Sequence, residues 1–152
     1  MEDQLLKRAK LRALHLLEVK DRTEAQLRQK LKEDGYPDEV TDAALQYVKG
    51  FGYVDDNRYA ENFIQSRRNS KSRREIQAAL YQKGLDREIV QRTLEICYDG
   101  NDETATIRRI LEKKRYHQED ATDRDRKRMY AYLSRKGFRY EDIQQVLQVS
   151  FC

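Results

Sequence analysis

The chain has 152 residues, 38% of them charged, with a formal net charge of +4 and a single proline; its mean hydropathy is −1.03. No apolar run approaches the roughly eighteen residues that a bilayer helix needs, and runs of β-branched residues are too few for a sheet. No secretory signal pattern is present, and Cys97 and Cys152 are isolated, so the chain reads as soluble, reduced and cytoplasmic.

In chain order, residues Glu2 to about Lys20 form a first helix with a wide apolar face of Leu5, Leu6, Ala9, Ala13, Leu14, Leu16 and Leu17. Asp21-Arg22 makes a turn. Thr23 then opens a second helix with Gln26 three residues on, the spacing of a capping box, in which each side chain satisfies a backbone N–H that the first helical turn leaves orphaned. Leu27 and Leu31 form its apolar side, and Gly35 ends it, since the residue after a helix commonly needs positive φ. Pro37 starts a third helix carrying Val40, Ala44, Leu45 and Val48, which breaks at Gly50-Phe51-Gly52.

The same pattern returns. Asp55 caps a helix with Tyr59, Ala60, Phe63 and Ile64 inward, and Tyr53 and Val54 are expected to staple this junction. Ser72 and Glu75 repeat the capping box; Ile76, Leu80 and Gly84 fall at the spacing of Leu27, Leu31 and Gly35. Asp86 caps the next helix, with Ile89, Val90, Thr93 and Leu94 inward. After Asp99-Gly100-Asn101-Asp102 comes a third copy, with Ala105, Ile107, Ile110 and Leu111 leading. Met129, Leu133 and Gly137 follow, then Ile143 and Leu147, this last helix shifted by one residue. The glycines lie 49 and 53 residues apart. The expected fold is all-α, three tandem three-helix repeats of about 50 residues (1–50, 51–99 and 100–152) in an elongated, curved array.

Nothing in this pattern assembles catalytic chemistry. His15 and His117 are isolated and suit a helix surface better than a metal, and Asp55-Asp56 and Glu119-Asp120 are adjacent pairs that suit caps and turns. No phosphate-cradling glycine loop or zinc spacing occurs, so no cofactor is expected. Charge gives the stronger signal. Arg67, Arg68, Lys71, Arg73 and Arg74 are five cations without an intervening acid, and the last two stand at a helix start, where the helix dipole disfavours them. Lys113, Lys114 and Arg115 form a second group. Arg124, Arg126, Lys127 and Arg128, interleaved with Asp123 and Asp125, form a third that also reads as a solvated face with intrahelical pairs. A pI near 9.0 permits contact with a polyanion without demanding it.

Arg22-Thr23-Glu24, Lys32 to Tyr36, Gly52-Tyr53-Val54-Asp55-Asp56 with Arg58-Tyr59-Ala60, and the Lys83-Gly84 and Lys136-Gly137 turns resemble the RecX family of bacterial regulatory proteins over nearly the whole chain. The resemblance implies a non-enzymatic modulator of the RecA recombinase, a tandem three-helix array lying in the groove of the RecA–DNA filament. Such a protein would hinder filament growth and lower ATPase, strand-exchange and coprotease activities. RecA and its filament are then the expected partners, DNA a possible direct one, and the chain a monomer. The other readings are a helix-turn-helix-like module that binds naked DNA and a helical scaffold without DNA contact.

Overall fold

The computed structural model describes residues 3–100 and 102–149. Glu2, Asn101 and Cys152 lie outside them. The elements are α1 (Gln4–Val19), α2 (Glu24–Glu33), α3 (Asp38–Gly50), α4 (Asp56–Arg67), α5 (Arg73–Gln82), α6 (Arg87–Tyr98), α7 (Thr104–Lys113), a short 3-10 turn (Gln118–Asp120), α8 (Asp123–Lys136) and α9 (Tyr140–Leu147). No strand occurs among the described residues, and the fold is all-α.

The helix boundaries follow local chemistry. Each of α2, α5 and α8 opens on a reciprocal capping box. The Thr23 hydroxyl accepts from Gln26 N–H and the Gln26 side chain from Thr23 N–H; Ser72 with Glu75 and Thr122 with Asp125 do the same. Each closes on a glycine with positive φ, 90° at Gly35, 83° at Gly84 and 102° at Gly137. One residue further on, the N–H groups of Tyr36, Leu85 and Phe138 reach back to the carbonyls of Leu31, Leu80 and Leu133, the six-to-one bond of a Schellman end.

The chain gathers into two compact units, Met1–Glu61 with Leu80–Gln91 and Asn62–Ala79 with Arg92–Cys152. In the first, Ala9, Ala13 and Leu16 of α1, Leu27 and Leu31 of α2, and Ala44, Leu45 and Val48 of α3 form one core. Fully burying each such leucine stabilises by about 1.5–3 kcal/mol. In the second, Ile107, Ile110 and Leu111 pack with Leu133, Phe138, Ile143, Val146 and Leu147.

Two expectations change. The one-residue shift in the last helix does not exist. Thr41, Val90 and Ile143 are each buried six residues after their glycine, and the pairs Ala44–Leu45, Thr93–Leu94 and Val146–Leu147 follow in register. The impression of a shift came from matching Ile143 to Val40 and Ile89, which are only half-buried; Asp142 holds that position instead. Val54 is buried as a staple requires, but Tyr53 is exposed and stacks on the exposed Phe51 at 5.6 Å.

Candidate binding surface

The three cationic groups of the sequence all lie in the second compact unit, and the fold uses them unequally. Arg67 ends α4 with its guanidinium 3.8 Å over the Phe63 ring. Arg68 is half-buried: it donates to the Cys97 carbonyl at 2.8 Å and lies over the Tyr98 ring, while its own carbonyl accepts from the Thr106 hydroxyl at 2.7 Å. Arg73 also faces Tyr98, with 5.2 Å to the ring centre. These two arginines are ordered by the fold itself. Lys71 and Arg74 are exposed.

The conflict between Arg73 and its helix dipole is offset locally. Arg73 N–H donates to the Glu103 carboxylate at 2.5 Å, and Glu75 adds a second negative charge in the first turn of α5. Burial pushes the Glu103 carboxyl up from its ordinary range, and the bond from Arg73 N–H partly opposes that shift. Burial likewise pushes the Tyr98 phenol up to about 12, and the Tyr98 hydroxyl is buried without a hydrogen-bond partner. A cleft of about 570 Å³ opens here, lined by Arg73, Arg74, Tyr98, Glu103 and also Arg139. Arg139 was not among the cations singled out in the sequence; it pairs with Asp142 at 3.4 Å.

The second and third cationic groups converge. Lys114 and Arg115, at the end of α7, and Arg128 of α8 line one cleft of about 470 Å³ together with Tyr116, His117 and Met129. Lys114 sits 4.2 Å over the Tyr132 ring, and Arg115 takes a left-handed backbone with φ 57°. Lys113 and Lys127 are exposed, and Arg126 pairs with Asp123 at 3.1 Å. Arg126 thus makes an intrahelical pair, whereas Arg128 lines a cleft with the residues that end α7. Asp120 and Asp125 also line this cleft, so its charge is mixed. Among the described residues no group of three His, Cys, Asp or Glu side chains is placed to hold a metal ion, and no helix is long and apolar enough to cross a membrane.

A cluster that sequence reading missed lies in the first unit. Tyr47, Phe51 and Tyr53 form an exposed aromatic run, Tyr47 edge-on to Phe51 at 5.1 Å, with the Lys10 ammonium 4.4 Å over Tyr47. Its signal was the Gly50-Phe51-Gly52-Tyr53 junction, an aromatic pair in a turn that the helices on either side do not bury.

Comparison with known proteins agrees with this architecture. Residues 9–47, 55–94 and 101–147 match the first, second and third three-helix domains of RecX in turn. The chain is 35% identical to the regulatory protein RecX of Caldanaerobacter subterraneus subsp. tengcongensis over 95% of its own length and 71% of that protein's. It is 33% identical to that of Mycobacterium avium, over 86% and 77%. The fold superposes on the crystal structure of RecX from Lactobacillus salivarius with a TM-score of 0.82, at 22% identity and 95% coverage of both chains. With three consecutive domains matched in order along its length, this chain belongs to the RecX family.

Proposed function

We propose that the chain is a non-enzymatic, cytoplasmic regulator of the RecA recombinase, acting as a monomer on the RecA–DNA filament in DNA repair and the SOS response. The observation that carries this is the ordered match of all three three-helix domains to a family whose members are named regulatory proteins. Lys71 and Arg74, and the concave group of Lys114, Arg115 and Arg128, are among the exposed cations available to filament DNA or to acidic protein surfaces. Toward acidic protein surfaces such contacts set on-rate and register more than affinity, whereas toward DNA phosphates they carry much of the affinity.

The test is RecA ATPase on single-stranded DNA, titrated with this protein. Turnover should fall with less than one molecule per RecA, because blocking growth at a few sites affects many protomers. Stimulation, or inhibition only when the protein is stoichiometric with free DNA, would reject filament regulation and favour a module that binds naked DNA.

A further inference from the structure

In the first unit, the turn between α1 and α2 meets the Lys83-Gly84 turn, and a cleft of about 470 Å³ between them has charged groups of one sign only. Its cations are Lys20, Arg22, Lys30 and Lys83, and the amides of Gln26, Gln29 and Gln82 complete its polar lining. No carboxylate and no aromatic ring lines it. The acids nearest in sequence are engaged elsewhere. Glu18 and Asp21 line another cleft with Tyr53 and Arg58, and Glu24 pairs with Lys49 at 3.1 Å and with Arg28 at 3.8 Å. Glu33 approaches the Lys30 ammonium to 3.9 Å, but both are exposed, and such a pair contributes little.

The second unit contains the same junction with its charge neutralised. Lys136 precedes Gly137 as Lys83 precedes Gly84, and Glu75 follows Ser72 by three residues as Gln26 follows Thr23. There the Lys136 ammonium reaches the Glu75 carboxylate at 3.4 Å. In the first unit the capping box is made by a neutral amide instead: the Gln26 side-chain oxygen accepts from Thr23 N–H at 3.1 Å. The cap is kept and the negative charge beside the lysine is lost. Two of the cations are also fixed in place by backbone bonds. The Thr23 hydroxyl donates to the Lys83 carbonyl at 2.6 Å, and Arg22 Nε donates to the Leu16 carbonyl at 3.2 Å. Four like charges around one cleft raise its positive potential, and an entering anion relieves their repulsion.

The lining selects among anions. Carboxylates are held best by the two-pronged guanidinium fork. Here three of the four cations are ammonium groups, and the one guanidinium has its Nε committed to Leu16. Ammonium groups hold phosphate as point charges. With no ring in the lining, a base has nothing to stack on. We infer that this cleft binds consecutive phosphates of a nucleic-acid backbone, without regard to base. It adds a contact in the first unit to those proposed for the second, and it rests on the filament reading only for where that DNA is found.

The test contains no RecA, so its outcome is separate from that of filament regulation. Binding of fluorescent oligothymidylate to the whole chain is followed by anisotropy over a range of salt, for the parent and for Lys20→Gln combined with Lys30→Gln. Both lysines are exposed, so their replacement should leave the helical circular dichroism unchanged. Lys7→Gln with Lys32→Gln is the control, removing the same charge from exposed positions of the same unit outside the cleft. Two lost phosphate contacts should reduce the slope of log K against log salt by about 1.4, which shrinks the affinity lost between roughly 50 and 200 mM salt about sevenfold. The control should keep the parent slope. In the parent, the side-chain amide NMR signals of Gln26, Gln29 and Gln82 should move as oligothymidylate is added, and oligodeoxyadenylate should move them equally. Equal slope losses in the two double variants overturn the site, since net charge alone would explain them, and so does an unchanged slope in the cleft variant. Glutamine signals that respond to inorganic tripolyphosphate and not to DNA would replace the backbone by a small free phosphate ligand. Signals that respond to polyglutamate and not to DNA would make the occupant an acidic peptide.

Discussion

Gly84 and Gly35 are matched in backbone and opposite in surroundings, which makes them a controlled experiment on packing. Both end a helix at nearly the same φ, 83° and 90°. Alanine at either must enter the left-handed region, at about 1–2 kcal/mol. Only at Gly84 does the new Cβ collide, 2.4 Å from the Ala25 Cβ. Neither atom can rotate away, because both are fixed by backbone. Relief requires the two helix ends to part, which also stretches the 2.6 Å bond from the Thr23 hydroxyl to the Lys83 carbonyl. Overpacking of this kind adds about 1–3 kcal/mol. Gly84→Ala should thus cost roughly 2–5 kcal/mol, against about 1–2 for Gly35→Ala. Urea denaturation followed by helical circular dichroism reads both. Ala25→Gly removes the colliding atom, so the double variant Ala25→Gly with Gly84→Ala should be less destabilised than the two single losses together, by at least about 0.5 kcal/mol. Equal costs at Gly84 and Gly35, or simple additivity in the double variant, would refute the close approach.

The buried and exposed caps separate in the same way: Thr23→Val, which strands Gln26 N–H and the Lys83 carbonyl, should cost about 1–3 kcal/mol, and Thr122→Val, at an exposed cap, about 1 kcal/mol, both read by urea melts. Glu103 binds its proton at higher pH in the fold than in the unfolded chain, where its ordinary value is 4.5. Its contribution therefore favours the fold at pH below 4.5 and is lost as pH rises through the raised folded value. Glu103→Gln, which keeps an acceptor for Arg73 N–H, should flatten that part of the stability–pH curve; an unchanged slope would mean that burial does not hold the proton. Arg68→Gln should lower stability by about 0.5–1.5 kcal/mol through loss of its Cys97 bond, while Lys71→Gln should stay within about 0.5 kcal/mol of the parent. If Lys71, Arg74 and Arg128 contact phosphates of single-stranded DNA, replacing all three with glutamine should reduce the slope of log K against log salt by about 2. A filament affinity unchanged at every salt concentration would mark them as solvent-facing only.

What could be read from the sequence was what depends on residues close in sequence. A capping box needs partners three residues apart, and a helix-ending glycine needs only its own φ; both were legible, and with them the three-fold repeat and the all-α fold. The register of α9 failed because a half-buried apolar residue precedes the first buried position of α3 and of α6, so Val40 and Ile89 passed for core and pulled Ile143 one place out of line. Arg68 and Arg73 looked like surface cations because their partners, Cys97, Tyr98 and Glu103, lie about thirty residues further on. Three more turns of sequence inspection would not have found them, since nothing in the charge run distinguishes an arginine stacked on a buried ring from one in solvent. The convergence of Lys114 and Arg115 with Arg128 was hidden for the same reason: the bend at Arg115 and the 3-10 turn that bring them together leave no periodic trace.

The choice of cap residue carries information that periodicity does not. Asp and Asn cap helices as well as Ser and Thr do, and this chain uses Asp3 and Asp55 to cap α1 and α4. A carboxylate only accepts. A hydroxyl accepts and donates at once, and the middle helices of the first two repeats use both roles. The Thr23 and Ser72 hydroxyls each take a bond from their own helix and give one to a carbonyl sixty or more residues away. The alternation of acid caps and hydroxyl caps therefore separates helix starts that are only closed from helix starts that also receive. Thr122 belongs to the second class by residue type, and its hydroxyl already accepts from Asp125 N–H. No carbonyl among the described residues accepts from it, so the third repeat keeps the donor that the first two spend on a neighbour.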